Sequence, residues 1–307
     1  MKMRSMISSR RMRGSVLLLV LWALLLLSSV VFVWVKMIHQ DLSLIHQANS
    51  GLDARALAHS GVWVALHPLV SKQTPLLKAS FGSERGYQVK LTGEGGKLNL
   101  NWLIQTLEQN PQRRLLLENY LNRRGLSLQE QATLIDSMLD WVQPGNLHHL
   151  NGMQDSATYK NAHRPFLSLD ELAKVNGSGP LVSQPDWQED FTIYSSGPID
   201  LLSASLRVLE SIPGIGDARA TRFYNYRLGP DHIDGTKDDP VFKSISEVAS
   251  FLGLSDSQFQ ALNGLVDIQD PTYHIQSEGH SGGVTRKIDV VAQKTGAVPT
   301  ILYWKEI

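Results

Sequence analysis

The sequence predicts an α+β fold: one long N-terminal helix laid on an antiparallel sheet, with a large all-α domain inserted between the strands of that sheet. Three observations lead there. An uncharged apolar run from Ser15 to Val35 continues directly into an amphipathic stretch. Alternating, strand-like segments occur near residues 86–101 and again after residue 265, at the two ends of what remains. Between them lies a region punctuated by helix-capping signals and almost free of alternation.

The apolar run holds twenty-one residues rich in Leu and Val. At a helical rise of ~1.5 Å per residue it spans ~31 Å, about the hydrocarbon thickness of a bilayer. The leader before it carries Lys2, Arg4, Arg10, Arg11 and Arg13 and no acid, while Lys36 follows the run. That asymmetry places the amino end in the cytoplasm and the bulk of the chain across the membrane. A secretory signal has a shorter apolar core of ~7–15 residues and a small-residue cleavage site. Here the run ends Phe32-Val33-Trp34-Val35, which offers no such site.

Beyond Lys36, residues Ala54, Leu57, Ala58, Gly61, Val62, Ala65, Leu66 and Leu69 recur at three- and four-residue spacing, an apolar stripe suited to a sheet. Pro68 is the expected stop, because its ring cannot continue the hydrogen-bond ladder. One helix of roughly 50 residues, ~75 Å long, is therefore expected. Gly86–Thr92 alternates as a strand, Glu94-Gly95-Gly96 forms a turn, and Lys97–Asn101 is a second short strand, together a hairpin. From Trp102 onward Ser127-x-x-Glu130, Ser168-x-x-Glu171, Ser244-x-x-Glu247 and Ser255-x-x-Gln258 all match the capping box. Leu134, Ile135, Met138, Leu139 and Val142 line one face of the helix behind Ser127, and Pro144-Gly145 ends it. Residues 145–166 lack periodicity and are expected as a surface loop, a further polar stretch spans 176–190, and helices resume near Ser203. Strands return near Tyr273–Ser277, Thr285–Ala292 and Val298–Trp304. A lone hairpin at 86–101 is too small to be stable, so these late strands complete its sheet.

Composition narrows the chemistry. The chain has 307 residues, no Cys, and 29 basic against 29 acidic side chains. Without its leader the balance is 24 against 29, a net charge of −5. A thiol nucleophile and a Cys metal cage are excluded. Residues 231–239 place Asp231, Asp234, Asp238 and Asp239 around Gly235. Clustered carboxylates on a tight turn suit a hard cation such as Ca²⁺, although the spacing is not that of an EF-hand. A solvated turn with Asx hydrogen bonds would use the same residues. Ile212-Pro213-Gly214-Ile215-Gly216 reads as a helix-hairpin-helix turn with Arg207, Arg219, Arg222 and Arg227 nearby. Residues 103–264, however, carry 13 basic and 20 acidic side chains, which disfavours phosphate binding. Gly279-His280-Ser281-Gly282-Gly283 matches the Gly-x-Ser-x-Gly pattern, but strands flank it on both sides where a nucleophile elbow needs a helix after it. His148-His149 has no third ligand at metal spacing and is expected as exposed loop. No phosphate loop or dinucleotide fingerprint occurs, and no catalytic residue is assigned.

Two resemblances sharpen this reading. A basic leader ending in Gly14 just before the apolar run resembles the type IV prepilins, which a dedicated peptidase cuts on the cytoplasmic face, here between Gly14 and Ser15. Ser15 stands where an aromatic or Met usually begins the mature chain, which leaves N-methylation open, and Leu19 stands where a Glu is usual. Beyond the leader, the segments Gly96–Asn101, Leu134–Trp141, Phe166–Leu172 and Gly229-Pro230-Asp231 with Gly235-Thr236-x-Asp238-Asp239 follow in order. Together they resemble the K-type minor pseudopilins of the bacterial type II secretion system.

The resemblance implies a leader at 1–14, a transmembrane segment at 15–35, a pilin-like core at 36–102 completed by 265–307, and an inserted helical domain at 103–264. It implies a structural, non-enzymatic subunit of the inner membrane at the tip of a periplasmic pseudopilus, helping folded proteins cross the outer membrane. Its expected partners are the I- and J-type minor pseudopilins, the major pseudopilin and the prepilin peptidase, with no nucleic acid. Calcium at the four aspartates is the implied cofactor. The absence of Glu at Leu19 fits a tip subunit, since that carboxylate pairs with a neighbouring subunit's amino terminus in other pilins. The alternative is a tip pseudopilin of a DNA-uptake system that uses the Pro213–Gly216 hairpin, and a membrane-anchored hydrolase is a third.

Overall fold

The computed structural model describes residues 12–145, 148–296 and 298–307, with the side chains of 12–15 and 39–47 left out. The leader at 1–11 lies outside the described residues, and of Gly14 and Ser15 only the helical backbone is described.

Helix α1 (Met12–Leu66) is unbroken over 55 residues. It is followed by β1 (Lys78–Ser80) and β2 (Arg85–Gly93). The chain then enters a larger lobe through a 3-10 turn at Glu94–Gly96. That lobe contains β3 (Leu98–Asn99), α2 (Leu100–Gln105), α3 (Pro111–Arg123), α4 (Leu128–Val142), α5 (Gly179–Val182), β4 (Phe191–Thr192), β5 (Ile199–Asp200), α6 (Leu206–Ser211), α7 (Asp217–Arg227), α8 (Ile245–Leu252), α9 (Asp256–Ala261) and β6 (Val266–Asp267). The chain returns through β7 (Thr272–Ser281), β8 (Val284–Gln293) and β9 (Thr300–Glu306).

The main sheet runs β1-β2-β7-β8-β9, antiparallel throughout. Alternation along its strands puts Tyr87, Val89, Leu91, Ile275, Ile288, Val290 and Ala292 on one buried face. The C-terminal half of α1 lies on that face through Ala58, Val62, Ala65 and Leu66. The β7–β8 turn is the two glycines Gly282 and Gly283, both at positive φ, as a two-residue hairpin turn of this twist requires.

The expected hairpin at 86–101 is not formed. Strand β2 pairs with β1 and β7, whereas Leu98–Asn99 pairs in parallel with Phe191–Thr192 inside the larger lobe. Glu94–Gly96 is a doorway between lobes rather than a hairpin turn. The larger lobe has its own core, running from Leu98 to Ile268 and including Leu116, Tyr120, Leu134, Phe191, Val208 and Phe223. It is mostly helical but holds two short parallel pairs, β3–β4 and β5–β6. A buried network ties it together. The Tyr120 hydroxyl donates to Asp190 at 3.0 Å, Ser205 Oγ donates to the same carboxylate at 2.7 Å, and Arg207 lies 2.8 Å from it.

Three of the four capping signals place a serine Oγ on the third backbone N–H, and two are full boxes: Ser127 with Glu130, and Ser255 with Gln258. At Ser244 the cap is one-sided, because Glu247 accepts from Lys243 N instead. At Ser168 no cap bond forms. Glu171 turns to Arg164 at 2.7 Å and to the amide of Leu167, and the segment is a 3-10 turn.

Candidate functional site

Two regions of the fold bear on function: the long helix with its lipid-like half, and the acidic loop of the larger lobe. In α1, residues Val16–Ile38 form a 23-residue apolar stretch whose most apolar 18 residues have mean hydropathy 3.0 and are unburied within the chain. Its large side chains stand outward all round, Leu19 included, and a helix apolar on every side fits an apolar surround.

The second half of α1 is held to the sheet by close approach. Gly61 faces Val89 and Tyr87, and Gly279 faces the backbone of residues 54–58, so a β-carbon at either position would meet occupied space. Ser277 Oγ donates to Ala58 O at 2.8 Å across the same interface. At the edge, Glu306 of β9 receives Arg55 at 2.7 Å and His59 at 3.2 Å, and Trp304 lies against His59. The Arg55 partner holds the Glu306 carboxyl below its usual range. On the same flank of the helix as Arg55 and His59, turned away from the sheet, Leu52 and Trp63 remain 65 % and 60 % exposed. Leu69, expected in the inner stripe, is 86 % exposed because the helix ends at Leu66 before reaching it.

In the acidic loop the structure brings together Asp231, Asp238 and Asp239, with one carboxylate oxygen of each within 4.8 Å of the others. Asp238 accepts from Asp231 N at 3.2 Å and from Thr236 Oγ1 at 2.6 Å, and the hydroxyl above all holds its carboxyl below the ordinary carboxylate range. Asp239 accepts from the amides of Gly235 and Thr236 at 2.7 and 3.1 Å. Asp234 stands apart from the trio, with Lys72 Nζ 2.9 Å from it. Gly229 at φ +65° closes the loop, and a β-carbon there would press on Asp238. Three carboxylates drawn together with mainly hydroxyl and amide donors around them fit a hard divalent cation in charge and ligand type.

The hairpin at Pro213–Gly216 is present between α6 and α7, but its arginines are engaged within the lobe. Arg207 pairs with Asp186 and Asp190, and Arg219 donates to Gly214 O. Arg222 donates to Phe251 O, and buried Arg227 donates to Leu201 O and Ala204 O. Arg207 and Arg227 are thus turned into the lobe, while Arg222 stays exposed on its surface. Ser281 closes strand β7 before a hairpin, without the helix that a nucleophile elbow uses.

His149, expected as exposed loop, is in fact a staple. Its Nδ1 is 2.6 Å from Asp140 and its Nε2 is 3.1 Å from Glu108, while its amide donates to Asp140 at 2.9 Å. No spacing signal in the sequence connects residues 108, 140 and 149; only the loop's return to α4 does.

Comparison with known proteins agrees with this architecture. Residues 96–184 match the family model of type II secretion system (T2SS) protein K. No curated protein matches the chain. Among solved structures, a chain of the GspK–GspI–GspJ complex of the enterotoxigenic Escherichia coli type 2 secretion system aligns with a TM-score of 0.57 at 13 % identity, covering 89 % of this chain and 98 % of that one. At that identity the likeness speaks for the fold alone. The family model covers only the segment that opens the larger lobe, while the shared fold extends over both lobes. The chain is thus similar to type II secretion system protein K over residues 96–184, and it shares the fold of a chain of the GspK–GspI–GspJ complex.

Proposed function

We propose that the chain is inserted in the inner membrane through Ser15–Val35, cut after Gly14 by the prepilin peptidase, and built into the tip of a periplasmic pseudopilus that helps export folded proteins. The observation that carries this reading is α1 itself: one continuous helix whose first half is apolar on all sides and whose second half carries the sheet. Such a rod joins a helical bundle in lipid, while the larger lobe, which rests on the sheet through the 93–97 and 268–272 crossings, caps the bundle. Leu19 supports the tip position, because it offers no carboxylate to a subunit ahead. The exposed face bearing Leu52 and Trp63 is suited to the helices of sibling subunits, and the structural relative was solved in complex with GspI and GspJ.

The test is extraction of the full chain from membranes followed by identification of what accompanies it. The reading expects other pilin-like subunits, with the association weakened by Trp63→Glu; an unaccompanied chain contradicts it. Asp231, Asp238 and Asp239 are proposed to hold a structural Ca²⁺, which would supply charge neutralisation to the loop. Adding a chelator to the purified chain then lowers its Tm, and Asp238→Asn removes that sensitivity. A Tm indifferent to chelation would leave the loop as a hydrogen-bonded turn.

A further inference from the structure

The two lobes are joined covalently twice, and both joints lie side by side. The chain leaves the sheet at Gly93 and returns at Tyr273, which are register partners on neighbouring strands. Two adjacent crossings fix a lobe along one line but leave rotation about that line unrestrained. A third contact, away from that line, is needed to set the angle.

The acidic loop makes one such contact, on the flank away from β9, where Tyr194 of the larger lobe packs on Tyr303 with ring centroids 6.0 Å apart. Lys72 Nζ lies 2.9 Å from Asp234, and Gln73 Nε2 donates to Thr236 O at 2.8 Å. Gly235, at φ +88°, approaches so closely that its β-carbon would stand 3.1 Å from Lys72 Cβ. Both sides of the contact are braced. On the sheet side, Lys294 donates to Ala65 O and Val70 O, pinning the end of α1. Ser71 and Thr74 then close a turn that presents Lys72 and Gln73. On the other side, buried Arg227 ties the helix before the loop to Leu201 O and Ala204 O. Lys72, Asp234, Arg227 and Asp200 all line one cavity at this seam.

We infer that Lys72, Gln73 and Asp234 are positioning residues that clasp the larger lobe to the long-helix lobe and set the angle between them. Asp234 therefore serves as a tether, not as a fourth ligand of the carboxylate trio. The inference rests on the lobe geometry and not on cation binding, so chelation does not decide it.

The chain has no Cys, so spin labels can be placed at Lys90→Cys on the sheet and Asn122→Cys on α3, both exposed. Pulsed electron-spin distances are measured on the full chain in detergent. The unaltered clasp gives one narrow distance. Lys72→Ala and Asp234→Asn each raise the population of displaced lobes by about five-fold, at the upper end for a partly exposed pair. The exchanged pair Lys72→Asp with Asp234→Lys restores the narrow distribution, which mere structural damage would not do. Single variants that keep the narrow distance, or an exchange that fails to restore it, would overturn the clasp.

Discussion

Replacing Gly279 by Ala tests how tightly the long helix is seated. The added methyl would sit 3.0 Å from Leu57 C, and nearer still to Ala54 O and Ala58 N, where ordinary contacts are 3.4–4 Å. These neighbours are backbone atoms of α1 and cannot rotate away, so the helix must withdraw from the sheet by about 1 Å. A gap of that size forfeits roughly a quarter to a half of each dispersion contact along the seam. The seam holds Ala54, Ala58, Val62 and Ala65, all fully buried. Overpacking of this kind costs typically 1–3 kcal/mol, and the backbone obstruction places Gly279→Ala at about 3 kcal/mol. For a chain of this size that corresponds to a Tm lower by roughly 6–12 °C. The assay is thermal unfolding of the full chain in detergent, with Gly51→Ala alongside. Gly51 is helical and its nearest neighbour in that direction, Arg286 Nη2, is 3.7 Å away, so this substitution leaves Tm unchanged or raises it, alanine being the better helix former by ~1 kcal/mol. Equal Tm values for the two variants would refute the close seating.

Three further outcomes follow from particular bonds. Ser127→Ala removes a full capping box and lowers stability by about 1 kcal/mol, whereas Ser168→Ala, where no cap bond exists, leaves Tm within error; the paired melts check both. Tyr120→Phe takes a donor from buried Asp190 and costs about 1.5–3 kcal/mol, read from denaturant unfolding, and a loss under ~0.5 kcal/mol would contradict the network. For His149, burial pulls the pKa down, but the hydrogen bonds and charges of Asp140 and Glu108 outweigh it and raise it above the ordinary value. A raised folded-state pKa means stabilisation fully present below about pH 6.5 and lost as pH rises through the folded value. The Tm advantage of the native chain over His149→Gln therefore shrinks from pH 6 to pH 8, and a constant difference would show that the imidazole charge is not involved.

Much of this fold is written locally and some of it is not. The long helix was legible because an apolar run and an amphipathic stripe join without a breaker, and its stop at Leu66 lies two residues before Pro68. The caps at Ser127 and Ser255 were legible because a box is a four-residue interaction. Ser168 shows the limit, since Arg164, seven residues before Glu171, outcompetes the nearer cap for it. The pairing of Leu98–Asn99 could not be read, because two short segments around a Gly-rich turn look like a hairpin whatever lies 93 residues further on. The same holds for the acidic loop. Its four aspartates are alike in sequence, and only the return of the chain beside Lys72 separates Asp234 from the three that converge.

The measurement that bears most directly on the pseudopilin reading is the intact mass of the chain recovered from cells that contain the prepilin peptidase. The account predicts a polypeptide beginning at Ser15, lacking the fourteen-residue basic leader. Recovery of the chain still beginning at Met1 would contradict incorporation into a filament and leave a tethered, unprocessed protein.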